Sequence, residues 1–129
     1  MDNAIVGTMD NGLVLIGSRQ YAMQDLPREK HKEYKGVYVK HLVTGKDTGG
    51  RFSCHAIRID AGAVIGDHVH AGAIELNEVL GGAGAGTLEG EEFSFVPGMV
   101  ALIPEGRAHG VIAGKEGLYF LAKFVPALL

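Results

Sequence analysis

The sequence predicts an all-β fold. Three observations carry that expectation. Glycine supplies 20 of the 129 residues and is spread along the chain instead of being gathered in a linker. Between the glycines lie short runs rich in Val, Ile, Phe and Tyr, the pattern of short strands joined by tight turns in a sandwich or barrel. From residue 36 onward no stretch reads as a helix.

Taken in order, residues 3–17 read as a hairpin. Ala4-Ile5-Val6 and Leu13-Val14-Leu15-Ile16 flank Asp10-Asn11-Gly12, and Asn-Gly is a two-residue turn signal. Residues 20–35 are polar and contain Pro27, which predicts a loop with at most one helical turn. Gly36 to Val43 is strand-like, and Thr44 to Gly50 is a polar turn. Arg51 to Asp60 alternates, with His55, Ile57 and Ile59 on one face and Cys54, Ala56 and Arg58 on the other. Phe93 to Val96 and Met99 to Ile103 are strands stopped by Pro97-Gly98 and Pro104-Glu105-Gly106. His109 to Ala113 is short and extended, and a turn at Gly114 to Gly117 leads into a last strand, Leu118 to Val125. Residues 1–35 read as an N-terminal hairpin and loop, and residues 36–129 as the β-rich barrel.

Length and composition bound the function classes. A chain of 129 residues with 47% hydrophobic and 21% charged residues is one soluble globular domain with a core. The net charge is −3, and Arg28, Lys30, Lys32 and Lys35 alternate with Glu29 and Glu33, so no basic stripe suits nucleic acid. Met1-Asp2-Asn3 lacks a basic leader, and no apolar window is long enough to span a membrane. The single cysteine, Cys54, excludes an intrachain disulfide and fits a cytoplasmic location.

The chemistry concentrates between Gly62 and Gly82. His68 and His70 are two apart, so in extended chain they share a face. A turn through Ala71 and Gly72 can return Glu75 to the same point from a neighbouring strand, and two imidazoles with a carboxylate make a metal site. In a second stretch, Gly98 to His109, the Pro104-x-Gly106 pair forces a bend that can present His109 at the mouth of a sheet.

These two stretches resemble the two motifs of the cupin superfamily. The first, G-x5-H-x-H-x4-E-x6-G, is matched at Gly62, His68, His70, Glu75 and Gly82. The second, G-x5-P-x-G-x2-H-x3-N, is matched at Gly98, Pro104, Gly106 and His109, with Ala113 in place of the final Asn. That Asn is not a metal ligand in the family. The 15 residues between the motifs match the short spacing of small microbial cupins. The resemblance implies a single-domain jelly-roll β-barrel of two antiparallel sheets. It implies one divalent transition metal per chain, held by His68, His70, Glu75 and His109. It also implies a homodimer, for which the Asn-Gly hairpin is a candidate exchanged segment.

Three imidazoles and a carboxylate contain no thiolate and suit Fe, Mn, Zn, Ni or Cu. Such a centre fits a metal-dependent enzyme of dioxygenase, isomerase or lyase type that acts on a small oxygenated molecule. The alternative is a non-catalytic cupin that binds a small molecule or metal as a sensor or store. Three further side chains are candidates for the cavity: His55 as a hydrogen-bonding support or general base, and Tyr38 and Tyr119 as lining. Arg58 and Arg107 read as solvated side chains, with clamping of a substrate carboxylate as the alternative. Strand parity places Glu78 opposite Glu75 and outside the metal pocket, and His31 and His41 read as surface residues. The run from Gly81 to Gly86 is barrel geometry, not a phosphate loop, because Thr87 replaces the last glycine of G-x-G-x-x-G and a strand follows. Cys54 and His55 are strand neighbours facing opposite ways, which disfavours a Cys–His dyad. No G-x-S-x-G elbow is present.

Overall fold

The structure is a computed structural model and describes residues 4–129. It begins with helix α1 (Ala4–Asp10), where the sequence predicts the first arm of a hairpin. Val6 and Met9, three apart, pack into one apolar cluster, which is helical spacing. Asn11-Gly12 ends this helix instead of turning a hairpin: the Asn11 N–H donates to the Gly7 carbonyl and the Gly12 N–H to the Met9 carbonyl, each at 3.1 Å. The hairpin lies one element later, β1 (Leu13–Ile16) against β2 (Arg19–Ala22), with its turn at Gly17. Asn3, the first residue of the expected hairpin, is outside the described residues.

A single 3-10 turn (Met23–Asp25) follows, then β3 (Glu29–Lys30) and β4 (Val37–Val43). The polar stretch after Thr44 holds a one-turn helix, α2 (Gly45–Thr48), where a polar turn is predicted. The Asp47 carboxylate accepts the Thr44 N–H at 2.9 Å and starts that turn. The remaining strands are β5 (Ser53–Ile59), β6 (Val64–His68), β7 (Ile74–Leu88), β8 (Glu91–Phe95), β9 (Val100–Ile103) and β10 (His109–Val125).

The strands from β3 onward form one hydrogen-bonded antiparallel sheet in the order β3-β4-β5-β10-β7-β8, with β6 on β10 and β9 on β7. The sheet folds into two layers because β7 and β10 run through both. The first half of β7 pairs with β9 and its second half with β8. The second half of β10 pairs with β5 and its first half with β6. The predicted turn at Gly114–Gly117 is instead a bulge in a continuous strand, where the β10–β7 register shifts between Ala113 and Leu118. Gly82 faces that bulge at φ +73°, and a Cβ there would collide with the Gly117 carbonyl. Only glycine lets the two long strands cross so closely.

Val37 and Ile59 of one layer meet Phe95 and Val111 of the other in the main core. On the outer face of the first layer, Val6, Val14 and Met23 cover Leu42, Cys54, Ala56 and Tyr119. Within the chain, the N-terminal helix and hairpin pack against this outer face.

Candidate metal centre

Alternation in β5 and β4 decides which side chains enter the barrel. In β5, Ser53, His55 and Ile57 face one way, and Cys54 and Ala56 join the outer cluster. The inner faces enclose a cavity of about 420 Å³. Its wall is largely apolar, including Ile57, Ile103, Phe120 and Phe124.

Four side chains converge in it. His68 ends β6, His70 follows two residues on, the turn at Gly72 reverses the chain, and Glu75 enters from the start of β7. His109 starts β10 directly opposite His68 in register. One ligand atom from each of His68, His70, Glu75 and His109 lies within 4.8 Å of the others. The four residues predicted from the motifs are therefore brought together.

Backbone carbonyls orient two of the rings. The His68 Nδ1–H donates to the Gly66 carbonyl at 2.8 Å and the His109 Nδ1–H to the Arg107 carbonyl at 2.9 Å. Each neutral ring then presents an unprotonated Nε2. Glu75 Oε1 lies 3.1 Å from His109 Nε2 and 3.4 Å from His70 Nε2. Lone pairs at these separations repel unless a proton or a metal ion stands between them. The donor set therefore fits a divalent cation. Burial lowers the His70 pKa, partly offset by the Glu75 charge. Burial also pulls His109 down, but the Glu75 hydrogen bond, the Arg107 carbonyl and the charges of Glu75 and Asp67 outweigh it and raise the pKa overall.

The other expected residues fall into two groups. His55 is buried and lines the cavity. Tyr38 and Tyr119 do not line it. Both sit at positions paired with Arg58, on the opposite sheet face from His55. The Tyr119 ring is buried under the Arg58 guanidinium, 4.5 Å from its centroid, and the Tyr38 hydroxyl donates to Asp60 at 3.4 Å. Neither arginine reaches the cavity. Arg58 is paired with Asp10 on that outer face, and exposed Arg107 lies 4.0 Å from Glu89. Glu78 points outward to Lys123, as strand parity predicts.

His31 and His41, expected on the surface, line the cavity instead. His41 is two residues from Val39 on β4 and opposite His55 in register, so strand parity signals its placement. His31 is positioned by a loop: its Nδ1 accepts the N–H groups of Glu33 and Tyr34 at 3.0 and 3.3 Å. No sequence period reveals that. Asn77, which strand parity puts on the same face as Glu75, is buried in the cavity wall, and its Oδ1 has no hydrogen-bond partner among the described residues.

A two-layer antiparallel barrel with three histidines and one glutamate converging in its cavity defines a class of protein. A family model described as a cupin domain matches residues 55–122, more than half of the chain, and the protein belongs to the cupin domain family. No curated protein matches the sequence. Among solved structures, KdgF from Halomonas sp. is 22% identical with a TM-score of 0.71, over 80% of this chain and 88% of that one. A predicted oxalate decarboxylase from Thermotoga maritima is 22% identical with a TM-score of 0.72, over 80% and 95%. The polyketide cyclase RemF from Streptomyces resistomycificus is 22% identical with a TM-score of 0.70, over 80% and 75%. At these identities the likeness is one of fold.

Proposed function

We propose that the protein is a metal-dependent enzyme that transforms a small oxygenated organic molecule, by dioxygenase, isomerase or lyase chemistry. The observation that carries this is the His68–His70–Glu75–His109 group opening onto an otherwise largely apolar cavity. Bound there, a divalent Fe, Mn, Zn, Ni or Cu ion would supply Lewis-acid polarisation of a substrate oxygen and, for the redox-active ions, electron transfer. The chain's own contribution is orientation and exclusion of water. Carbonyls 66 and 107 fix two imidazoles, and Phe124 packs against His70 with ring centroids 5.0 Å apart. KdgF, a predicted oxalate decarboxylase and a polyketide cyclase use the same fold, which is consistent with catalysis without choosing a reaction. The second reading, a non-catalytic binding cupin, draws on the same cavity.

The test is metal content and turnover together. Purified protein should hold about one transition metal ion per chain, and His68→Ala should lose it. Turnover of a candidate substrate that survives both chelation and His68→Ala would exclude metal catalysis. A ligand that raises Tm but is never consumed would favour the binding reading.

We also propose a homodimer. Val100 and Leu102 are 61% and 56% exposed on the outward face of β9, which pairs only with β7 among the described residues. A second copy laid on this aliphatic edge would cover it. Sedimentation should show a dimer that Leu102→Glu splits.

A further inference from the structure

The cavity is unusual in its charge. All twelve Lys and Arg residues fall within the described part of the chain, and none lines it. Lys30 and Lys32 stand in a shallower adjoining groove, where Glu29 and Glu33 accompany them. The titratable groups that do line the cavity are histidines, the carboxylates Glu33 and Glu75, and Tyr34. His55, buried in the wall, is neutral at pH 7 because burial and the nearby His41 push its pKa down to about 4. A divalent ion on three neutral imidazoles and one carboxylate carries a net single positive charge. That centre can neutralise one anionic oxygen, and the wall offers no lysine or arginine for a second.

The remaining polar contact is neutral. Asn77 is 4% exposed, and its amide stands in the wall with an unpartnered Oδ1. An uncharged amide can hold a hydroxyl or carbonyl group of a ligand. The rest of the wall, with Ile57, Phe93, Phe120 and Phe124, suits a hydrocarbon or aromatic body.

We propose that the site takes an uncharged, largely apolar molecule bearing oxygen functions, of which no more than one ionises on binding, and that it rejects dicarboxylates and sugar diacids. A second carboxylate would be buried without a partner in a wall that cannot pair it. This inference rests on the metal reading above and narrows it to a substrate class.

Two probes of similar apolar body and oxygen spacing separate the alternatives. Benzoylacetone loses one proton on binding a metal, whereas benzylmalonate is a dianion at neutral pH. Calorimetric titration into zinc-loaded protein should give at least a tenfold tighter Kd for benzoylacetone. Leu128 lines the cavity yet is 50% exposed, so Leu128→Arg can place a guanidinium there without burying it. In that variant the preference should narrow by at least fivefold through tighter benzylmalonate binding. Equal or tighter benzylmalonate binding by the unaltered protein would overturn the inference. So would failure of both probes to bind protein shown to hold one zinc per chain, and the metal reading would then survive. Failure of the same sample to bind zinc would instead remove the metal reading and this inference with it.

Discussion

His41 and His55 face each other Nδ1 to Nδ1 at 2.8 Å, so one proton must serve both nitrogens. The neighbours set its direction. Leu128 N–H donates to Ser53 Oγ at 2.9 Å, and Ser53 Oγ lies 2.9 Å from His55 Nε2. If the Ser53 hydroxyl donates to His55 Nε2, the His55 Nδ1–H donates to His41, and the His41 Nε2–H faces the Glu29 carboxylate at 3.6 Å. Every donor then has an acceptor. The reverse order leaves the Ser53 hydroxyl without one and turns a His41 lone pair towards Glu29.

This chain makes the protein acid-labile at one position. Burial, reinforced by His41, lowers the His55 pKa to about 4, while an unfolded histidine titrates near 6.5. Between those values the unfolded chain binds a proton that the folded chain refuses. Stability therefore falls as pH drops through that window, by about 3 kcal/mol at most. Urea denaturation at pH 7 and pH 4.5 measures it, and His55→Gln should flatten this part of the pH dependence.

Glu75 and His109 predict the opposite slope in metal-free protein. The folded-state pKa of His109 is raised, so its stabilisation is complete below the unfolded value and is lost as pH rises through the folded one. Denaturation of chelator-treated protein from pH 6 upward should show the decline. Glu75→Gln should remove it, because the amide cannot attract the imidazolium charge.

Cys54 should be inert in the folded protein. Burial raises its pKa to about 11, with Lys123 opposing and Glu78 reinforcing the rise. Only the thiolate alkylates readily. Iodoacetamide labelling followed by mass spectrometry should be slow in buffer and fast in denaturant.

Gly82→Ala should destabilise the barrel by about 2 kcal/mol or more, since the new methyl group meets the Gly117 carbonyl at a left-handed backbone position. The variant's Tm should fall. Gly90→Ala, left-handed but open to solvent, should cost less.

The metal group was legible because its four side chains sit at fixed spacings in two local motifs, each a strand and a turn. Most strands from Val37 onward were legible from alternation and Pro-Gly stops, but the glycines at 114 and 117 read as a turn where β10 only bulges. What failed depended on contacts distant in sequence. Asn11-Gly12 suits a helix end and a hairpin equally, and the apolar cluster under Val6 and Met9 decided between them. Tyr38 and Tyr119 needed the β4–β5–β10 register before their face was known. His31 reached the cavity through a loop that carries no period.

The two layers of the barrel contribute separately to the metal group. Glu75 enters from the half of β7 that pairs with β9, whereas His68 and His109 belong to the β6–β10 ladder. An ion at this point is a rivet across the open seam of the barrel. Its binding energy is then also cohesion between the layers. Amide exchange at the strand ends around residues 68, 75 and 109 becomes a gauge of occupancy, slowing as the rivet is set and quickening as it is drawn.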